Sequence, residues 1–310
     1  MWLTFKYEST MAKITVRPHG LNGGVAGPGN KTPPPRDVIR GWSIQASRRN
    51  RQFLQSIELA RVQGTGVFLT LTLRDLPPTS ADWTRLVSAF LKRMRRTGIA
   101  RYHWVVEFQR RGVPHLHVVA YWEQSPSEIL GHDPVGHWLA VAEPFGADPK
   151  GQEMRWCDQR VELLAYMAKH SARTADHYQR ARMALPVGWH SVGRLWGASS
   201  AGSWPTSTLT FDFNDTAFYR LRRLYRGYVR SKASTRLAIA QGTGDGRQVE
   251  KAVLGMVHAR RLLKCNDRLH SRIRPLGTWM PESVAAQMVV YTERQAGCVV
   301  EDLTKDPPEP

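Results

Sequence analysis

The tightest constraint on the fold is a pair of β-rich runs separated by five residues. Residues 102–109 (YHWVVEFQ) and 115–122 (HLHVVAYW) flank Arg110-Arg111-Gly112-Val113-Pro114. β-branched and aromatic side chains dominate both runs. A connection this short joins antiparallel strands, because parallel ones need a long crossover. The spacing therefore predicts a β-hairpin with a basic tip. Strand side chains alternate, so His115 and His117 share one face, and a turn at 110–114 brings Glu107 of the first strand onto that same face.

The hairpin sits inside a longer alternation. A helix is expected over about residues 42–62, and Val67–Leu73 (VFLTLTL) reads as a strand ended by Pro77-Pro78. Residues 80–97 carry apolar side chains at helical spacing (Trp83, Leu86, Val87, Phe90, Leu91, Met94) with basic residues in the last turn, where they suit the helix dipole. Beyond the hairpin, helices are expected at about 134–144 and 160–172, with a short strand at 152–158 between them. The order β-α-β-β-α-β-α predicts an α+β fold: an antiparallel, ferredoxin-like or RRM-like sheet with helices on one face. A strand-like TLTFDF (208–213) and two long basic helices, at about 215–240 and 246–270, follow. The predicted organisation is a loosely ordered, Gly/Pro-rich leader (1–38), a catalytic-type domain (39–213), a basic helical C-terminal region (214–300) and a frayed, proline-rich tail (301–310).

Charge limits the partner. Lys and Arg number 44 against 26 Asp and Glu, a formal net charge of +18. Self-repulsion on that scale is relieved by a polyanion, with nucleic acid the first candidate. No run reaches the roughly 18 consecutive apolar residues of a membrane span, and the N-terminus lacks a signal-peptide layout, so a cytoplasmic protein is expected. Cys157, Cys265 and Cys298 are far apart and form no CxxC pair, which argues against a zinc ribbon or disulfide framework. The stretch GVAGPGNKT (24–32) is not a phosphate-binding loop: Asn30 separates the glycine from Lys31, and no apolar strand precedes it.

Two histidines and a carboxylate on one strand face can share a divalent cation and leave positions open for water and a phosphate oxygen. Glu107, His115 and His117 are therefore the candidate ligands for Mg²⁺ or Mn²⁺, with Gln109 in reserve; His103, further along that face, is read as structural. Tyr166 and Lys169 lie three apart on the expected 160–172 helix and so share a face. A free tyrosine is about a thousandth phenolate at pH 7, and a nearby ammonium favours the charge that develops on attack.

These motifs, in this order, resemble the HUH endonuclease superfamily, and within it the rolling-circle replication initiators of filamentous phages and small plasmids. FLTLTL (68–73) resembles the family's first motif, EFQRRGVPHLH (107–117) its metal-binding second, and Tyr166 to Lys169 its third; GWSIQASRRNRQ (41–52), GRLWG (193–197) and RLRRLYR (220–226) are also similar to phage initiators. The resemblance implies that Tyr166 attacks a scissile phosphate of single-stranded origin DNA, forming a 5′-phosphotyrosine and a free 3′-hydroxyl for a polymerase, with a host helicase separating the strands. Arg110, Arg111, Arg220, Arg222, Arg223 and Arg226 are the candidate contacts to the DNA backbone, and the origin is expected to be a stem-loop. Where many phage initiators carry a second tyrosine, this chain has His170, so closing the circle calls for a second subunit, as in a homodimer, or another nucleophile; Tyr178 is a distant fallback. A single-tyrosine transposase shares this chemistry. A non-catalytic RNA-recognition-like protein would instead carry exposed aromatics where Glu107 and the histidines stand.

Overall fold

The computed structural model describes residues 12–25, 38–157, 160–173, 175–181, 185–186, 188–200, 202–263 and 279–295. In chain order these form β1 (Ala12–Arg17), β2 (Gly20–Val25), α1 (Ile44–Ser56), β3 (Thr65–Leu71), α2 (Ser80–Arg96), β4 (Ile99–Phe108), β5 (Pro114–Trp122), α3 (Pro126–His132), α4 (Pro134–Ala142), β6 (Glu153–Cys157), α5 (Arg160–Ala172), β7 (Trp196–Ala198), β8 (Leu209–Phe213), α6 (Asp215–Thr243), α7 (Gly246–Leu263) and α8 (Glu282–Gln295). They sort into two units: Pro33–Ser207, and Met1–Thr32 together with Thr208–Pro310.

The Pro33–Ser207 unit is built on a five-stranded sheet of order β6-β3-β5-β4-β7, antiparallel at every pairing. The expected hairpin is β4–β5, and its register sets Glu107 opposite His115 and Val105 opposite His117. Its turn closes through Gly112 N to Gln109 O (2.9 Å) and Gln109 N to Val113 O (3.0 Å), with Gly112 at φ +83°, a conformation that costs a side chain-bearing residue. On the other side of β5, Thr70 pairs with His117 and Phe68 with Val119.

One sheet face holds the main core. Trp83, Phe90 and Trp138 meet edge to face, the Trp138 ring lying 6.1 Å from Trp83 and 5.6 Å from Phe90. Each such ring, fully buried, contributes on the order of 1.5–3 kcal/mol. α2 is started by a capping box, in which the Thr79 hydroxyl accepts from Asp82 N and the Asp82 carboxylate accepts from Thr79 N. The polar edges of the tryptophans are satisfied too: Trp122 Nε1 donates to Thr97 Oγ1 (2.9 Å) and Trp138 Nε1 to Thr72 O (3.2 Å).

The expectation that helices cover one face needs correction. α1 and α5 lie over the second face: Phe53 of α1 stacks on His103 of β4, and Tyr166 of α5 packs on Phe68 of β3 and hydrogen-bonds His103. The physical reason is visible in β5, where every residue is buried, as a strand covered on both sides must be.

The second unit overturns two boundaries. Residues 12–25, expected within a loose leader, form the β1–β2 hairpin, and β1 also pairs with β8 in a three-stranded sheet of order β2-β1-β8. Residues 208–213, expected to close the catalytic-type domain, thus belong to a different sheet. Ala12, Ile14 and Val16 alternate inward against Phe213, Phe218, Leu221 and Tyr225, with Ala285 and Val289 of α8 completing this core. α6 and α7 are the two expected basic helices. The rest of the expected leader up to residue 37, residues 264–278 and the expected frayed tail (301–310) lie outside the described residues.

Candidate metal and nucleophile site

The second face of the larger sheet brings Glu107, His115 and His117 together. One ligand atom from each lies within 4.8 Å of the others. His115 Nε2 and His117 Nε2 are 2.8 Å apart, and His117 Nε2 is 3.5 Å from Glu107 Oε2. Thr70 Oγ1 approaches His117 Nδ1 at 3.3 Å, which turns the opposite nitrogen toward the cluster. Burial is the main cause that pushes His115 down to about 3 and His117 down to about 4, with neighbouring positive groups, Lys169 among them, adding to it. Both rings are therefore neutral near pH 7, the state in which imidazole ligates a metal. His115 Nδ1 is buried without a hydrogen-bond partner among the described residues. By donor chemistry, these residues fit a divalent ion.

Glu107 has further partners that no motif announced. Arg180 Nε donates to Oε1 at 2.9 Å, and Arg173 donates to Oε2. Arg180 is wholly buried, donates also to the carbonyls of Arg173 (2.6 Å) and His170 (3.4 Å), and lies 4.0 Å from the ring centroid of Trp42. Trp42 is itself tied to the sheet through Nε1 to Val106 O, 3.0 Å. As a metal ligand, the carboxylate would be shared with these two guanidinium groups.

Tyr166, half-buried on α5, projects onto the same face. Its hydroxyl is 3.1 Å from His103 Nδ1, and its ring packs on Phe68 and His170 with centroids 5.4 and 4.5 Å away. Burial pushes its pKa above the ordinary tyrosine value, opposed by the charge of Arg180. His170, one turn on, is buried, its Nδ1 3.7 Å from Glu107 Oε1, and neither ring nitrogen has a hydrogen-bond partner among the described residues. Lys169 is exposed. Phe68, Thr70, His117, Arg155, Tyr166 and Lys169 help to line one cleft of about 230 Å³. Nucleophile candidate, ammonium and one ligand candidate thus open onto a single space.

The remaining sequence candidates disperse. Gln109, the reserve ligand, accepts from Arg111 Nε at 2.7 Å and is engaged there. Tyr178 is exposed, with Arg110 5.8 Å from its ring centroid. Arg110 is exposed at the hairpin tip, but Arg111 donates to the carbonyls of Leu73 and Arg74, which ties the tip to the end of β3. Arg222 is buried on the inner face of α6 beside Phe218, Leu221 and Tyr225, and so is not a surface contact. Helical spacing accounts for this, since 218, 221, 222 and 225 form one stripe. Arg220 and Arg223 are exposed and Arg226 half-buried; Arg220 also donates to the Gln295 carbonyl.

A polar nucleophile cleft on a fully antiparallel sheet, in a chain this basic, defines a protein that works on nucleic acid. Comparison with known proteins gives the particular family. The profile of the replication-associated protein family of the ORF2 and gene II protein type matches residues 66–175, the segment from β3 through α5. A candidate replication protein of Xylella fastidiosa strain 9a5c is 39% identical over 297 residues, 93% of this chain and 97% of its own length. The replication-associated gene II protein of Pseudomonas phage Pf3 is 34% identical over 271 residues, 86% of this chain and 91% of its own. No solved structure matches. The chain belongs to this family of replication-associated proteins.

Proposed function

We propose that the protein initiates rolling-circle replication by nicking single-stranded origin DNA, with Tyr166 as the nucleophile. The observation that carries this reading is the cleft in which Tyr166, Lys169 and His117 meet, with His115 and Glu107 clustered about His117. The Tyr166 oxygen attacks phosphorus, the bond to the 3′ oxygen breaks, and a 5′-phosphotyrosine and a polymerase-ready 3′-hydroxyl result. Lys169 stands at the cleft to neutralise charge developing on the phosphate. Glu107, His115 and His117 would hold Mg²⁺ or Mn²⁺, which when bound supplies positive charge to the scissile phosphate. Exposed Arg110 and Arg223 are suited to backbone phosphates. Among the described residues no helix is long and apolar enough to cross a membrane, and the proposed place of action is the bacterial host's cytoplasm.

The test is a cleavage assay on single-stranded DNA tiled across the replicon, with Mn²⁺ or Mg²⁺. Wild type is expected to form a covalent protein–DNA adduct that Tyr166→Phe cannot form. An adduct that survives in Tyr166→Phe moves the nucleophile elsewhere. Tight binding without any adduct leaves a DNA-binding protein and ends the catalytic reading.

A further inference from the structure

The tyrosine hydroxyl is one end of a buried chain of three side chains drawn from three elements. Tyr166 of α5 meets Nδ1 of His103 on β4 at 3.1 Å, and His103 Nε2 meets Asn50 Oδ1 of α1 at 2.8 Å. His103 and Asn50 are both wholly buried. Phe53 stacks on the imidazole with centroids 5.5 Å apart and planes 17° apart, and Trp196 of β7 lies 6.1 Å away. The ring is thus fixed in position and orientation.

The hydrogen-bond roles follow from chemistry. An amide oxygen only accepts, so with the Asn50 oxygen facing the ring the proton of His103 sits on Nε2. Nδ1 then carries a lone pair, and the Tyr166 hydroxyl donates to it. A base whose second nitrogen is anchored by a buried acceptor, and whose first nitrogen holds the nucleophile's proton, is the arrangement that activates hydroxyl nucleophiles generally.

We propose that His103 is the proton acceptor of the cleavage step, with Asn50 fixing its tautomer; the inference rests on Tyr166 being the nucleophile. As the Tyr166 oxygen bonds to phosphorus and the bond to the 3′ oxygen breaks, the phenolic proton passes to His103 Nδ1. The imidazolium keeps its Nε2 proton on Asn50, the leaving 3′ oxygen takes a proton from water, and His103 returns its proton to solvent before the next cycle. The environment of the phenol makes such an acceptor necessary. Its burial disfavours the free phenolate, so the proton has to leave as the phosphorus bond forms. In the resealing direction the same imidazolium returns the proton to the departing phenol.

The test is single-turnover adduct formation on a single-stranded oligonucleotide that wild type cleaves, with Mn²⁺, comparing wild type, His103→Ala, His103→Gln and Tyr166→Phe. His103→Ala is expected to slow adduct formation roughly 10²-fold to 10⁴-fold, with oligonucleotide binding retained. Added imidazole is expected to restore part of the lost rate. His103→Gln keeps a hydrogen-bond acceptor for the tyrosine but takes no proton, so it should be as slow as His103→Ala. A His103→Gln rate near wild type would reduce His103 to a positioning residue and overturn the proposal. A solvent deuterium isotope effect on the wild-type step tests the same point where a variant does not fold; its absence would place proton loss outside the step and also overturn it. Failure of Tyr166→Phe to abolish the adduct is a separate result, and removes the tyrosine reading itself.

Discussion

Arg180 and Glu107 form an ion pair at 2.9 Å in which neither side chain is exposed. Charges buried to this degree are retained only when each is fully partnered. The pairing gives Glu107 a structural duty alongside its candidate duty as a ligand. Loss of activity in a Glu107 variant would therefore not by itself identify a metal site.

Removing one partner should be costly. Arg180→Met leaves a buried carboxylate with Arg173 as its remaining guanidinium, and is expected to destabilise the protein by about 3–5 kcal/mol. Adding Glu107→Met to it should recover much of that loss, because the uncompensated charge is then gone. Urea unfolding of both variants in EDTA checks this; a double variant no more stable than the single one would show that Arg180 acts through its carbonyl and Trp42 contacts instead.

Stability should fall with acid in a characteristic window. His115 and His117 are pushed down to about 3 and about 4 in the folded protein, against an ordinary value near 6.5 on unfolding. The unfolded chain thus binds more protons between these limits. The contribution is fully present above about pH 6.5 and is lost as pH falls toward the folded values, at up to about 1.4 kcal/mol per pH unit for each histidine. Burial lowers His103 and His170 in the same direction. Unfolding free energies of metal-free protein from pH 7.5 to 5 should show a steep decline, shallower in His115→Asn. A flat profile would mean that these rings are solvated.

The two hairpin-tip arginines should separate. Arg110 is exposed, whereas Arg111 spends its guanidinium on Gln109 and on the carbonyls of Leu73 and Arg74. Arg110→Ala is expected to reduce the slope of log K against log salt for single-stranded DNA by about 0.7, the loss of one phosphate contact. Arg111→Ala should leave that slope nearly unchanged and cost about 1–2 kcal/mol of stability. Binding titrations at four salt concentrations, paired with thermal melts, distinguish the two, and a reversed pattern would refute the assignment.

These contrasts also mark what sequence could carry. The period-2 pattern of β4 and β5 and the short turn fix the register, so Glu107 opposite His115 was legible from spacing alone. Tyr166 and Lys169 were legible as a helical i, i+3 pair, and His170 at i+4 from Tyr166 by the same rule. Arg173 and Arg180 were not, because they follow α5 in irregular chain, where no periodicity says which way a side chain points. Asn50 was hidden for a related reason: its helix is recognisable, but packing of that helix over the sheet is a non-local fact. The GLNGGV strand β2 was missed because its glycines read as loop, and only pairing with β1 makes it a strand.

Lys169 offers the sharpest separation of catalysis from binding. It is exposed at the cleft, and its ammonium lowers the basicity of His115, His117 and His170 alike, so its field reaches the whole cluster. Replacing it with methionine preserves the alkyl length and removes the charge. If that charge meets the phosphate mainly as negative charge develops, Lys169→Met should slow adduct formation by about 10²-fold, while oligonucleotide affinity changes by no more than a single surface phosphate contact would allow. Single-turnover rates and binding constants measured on the same oligonucleotide decide the matter. Equal losses in rate and affinity would mean that Lys169 holds ground-state DNA, leaving the developing charge to other groups of the site.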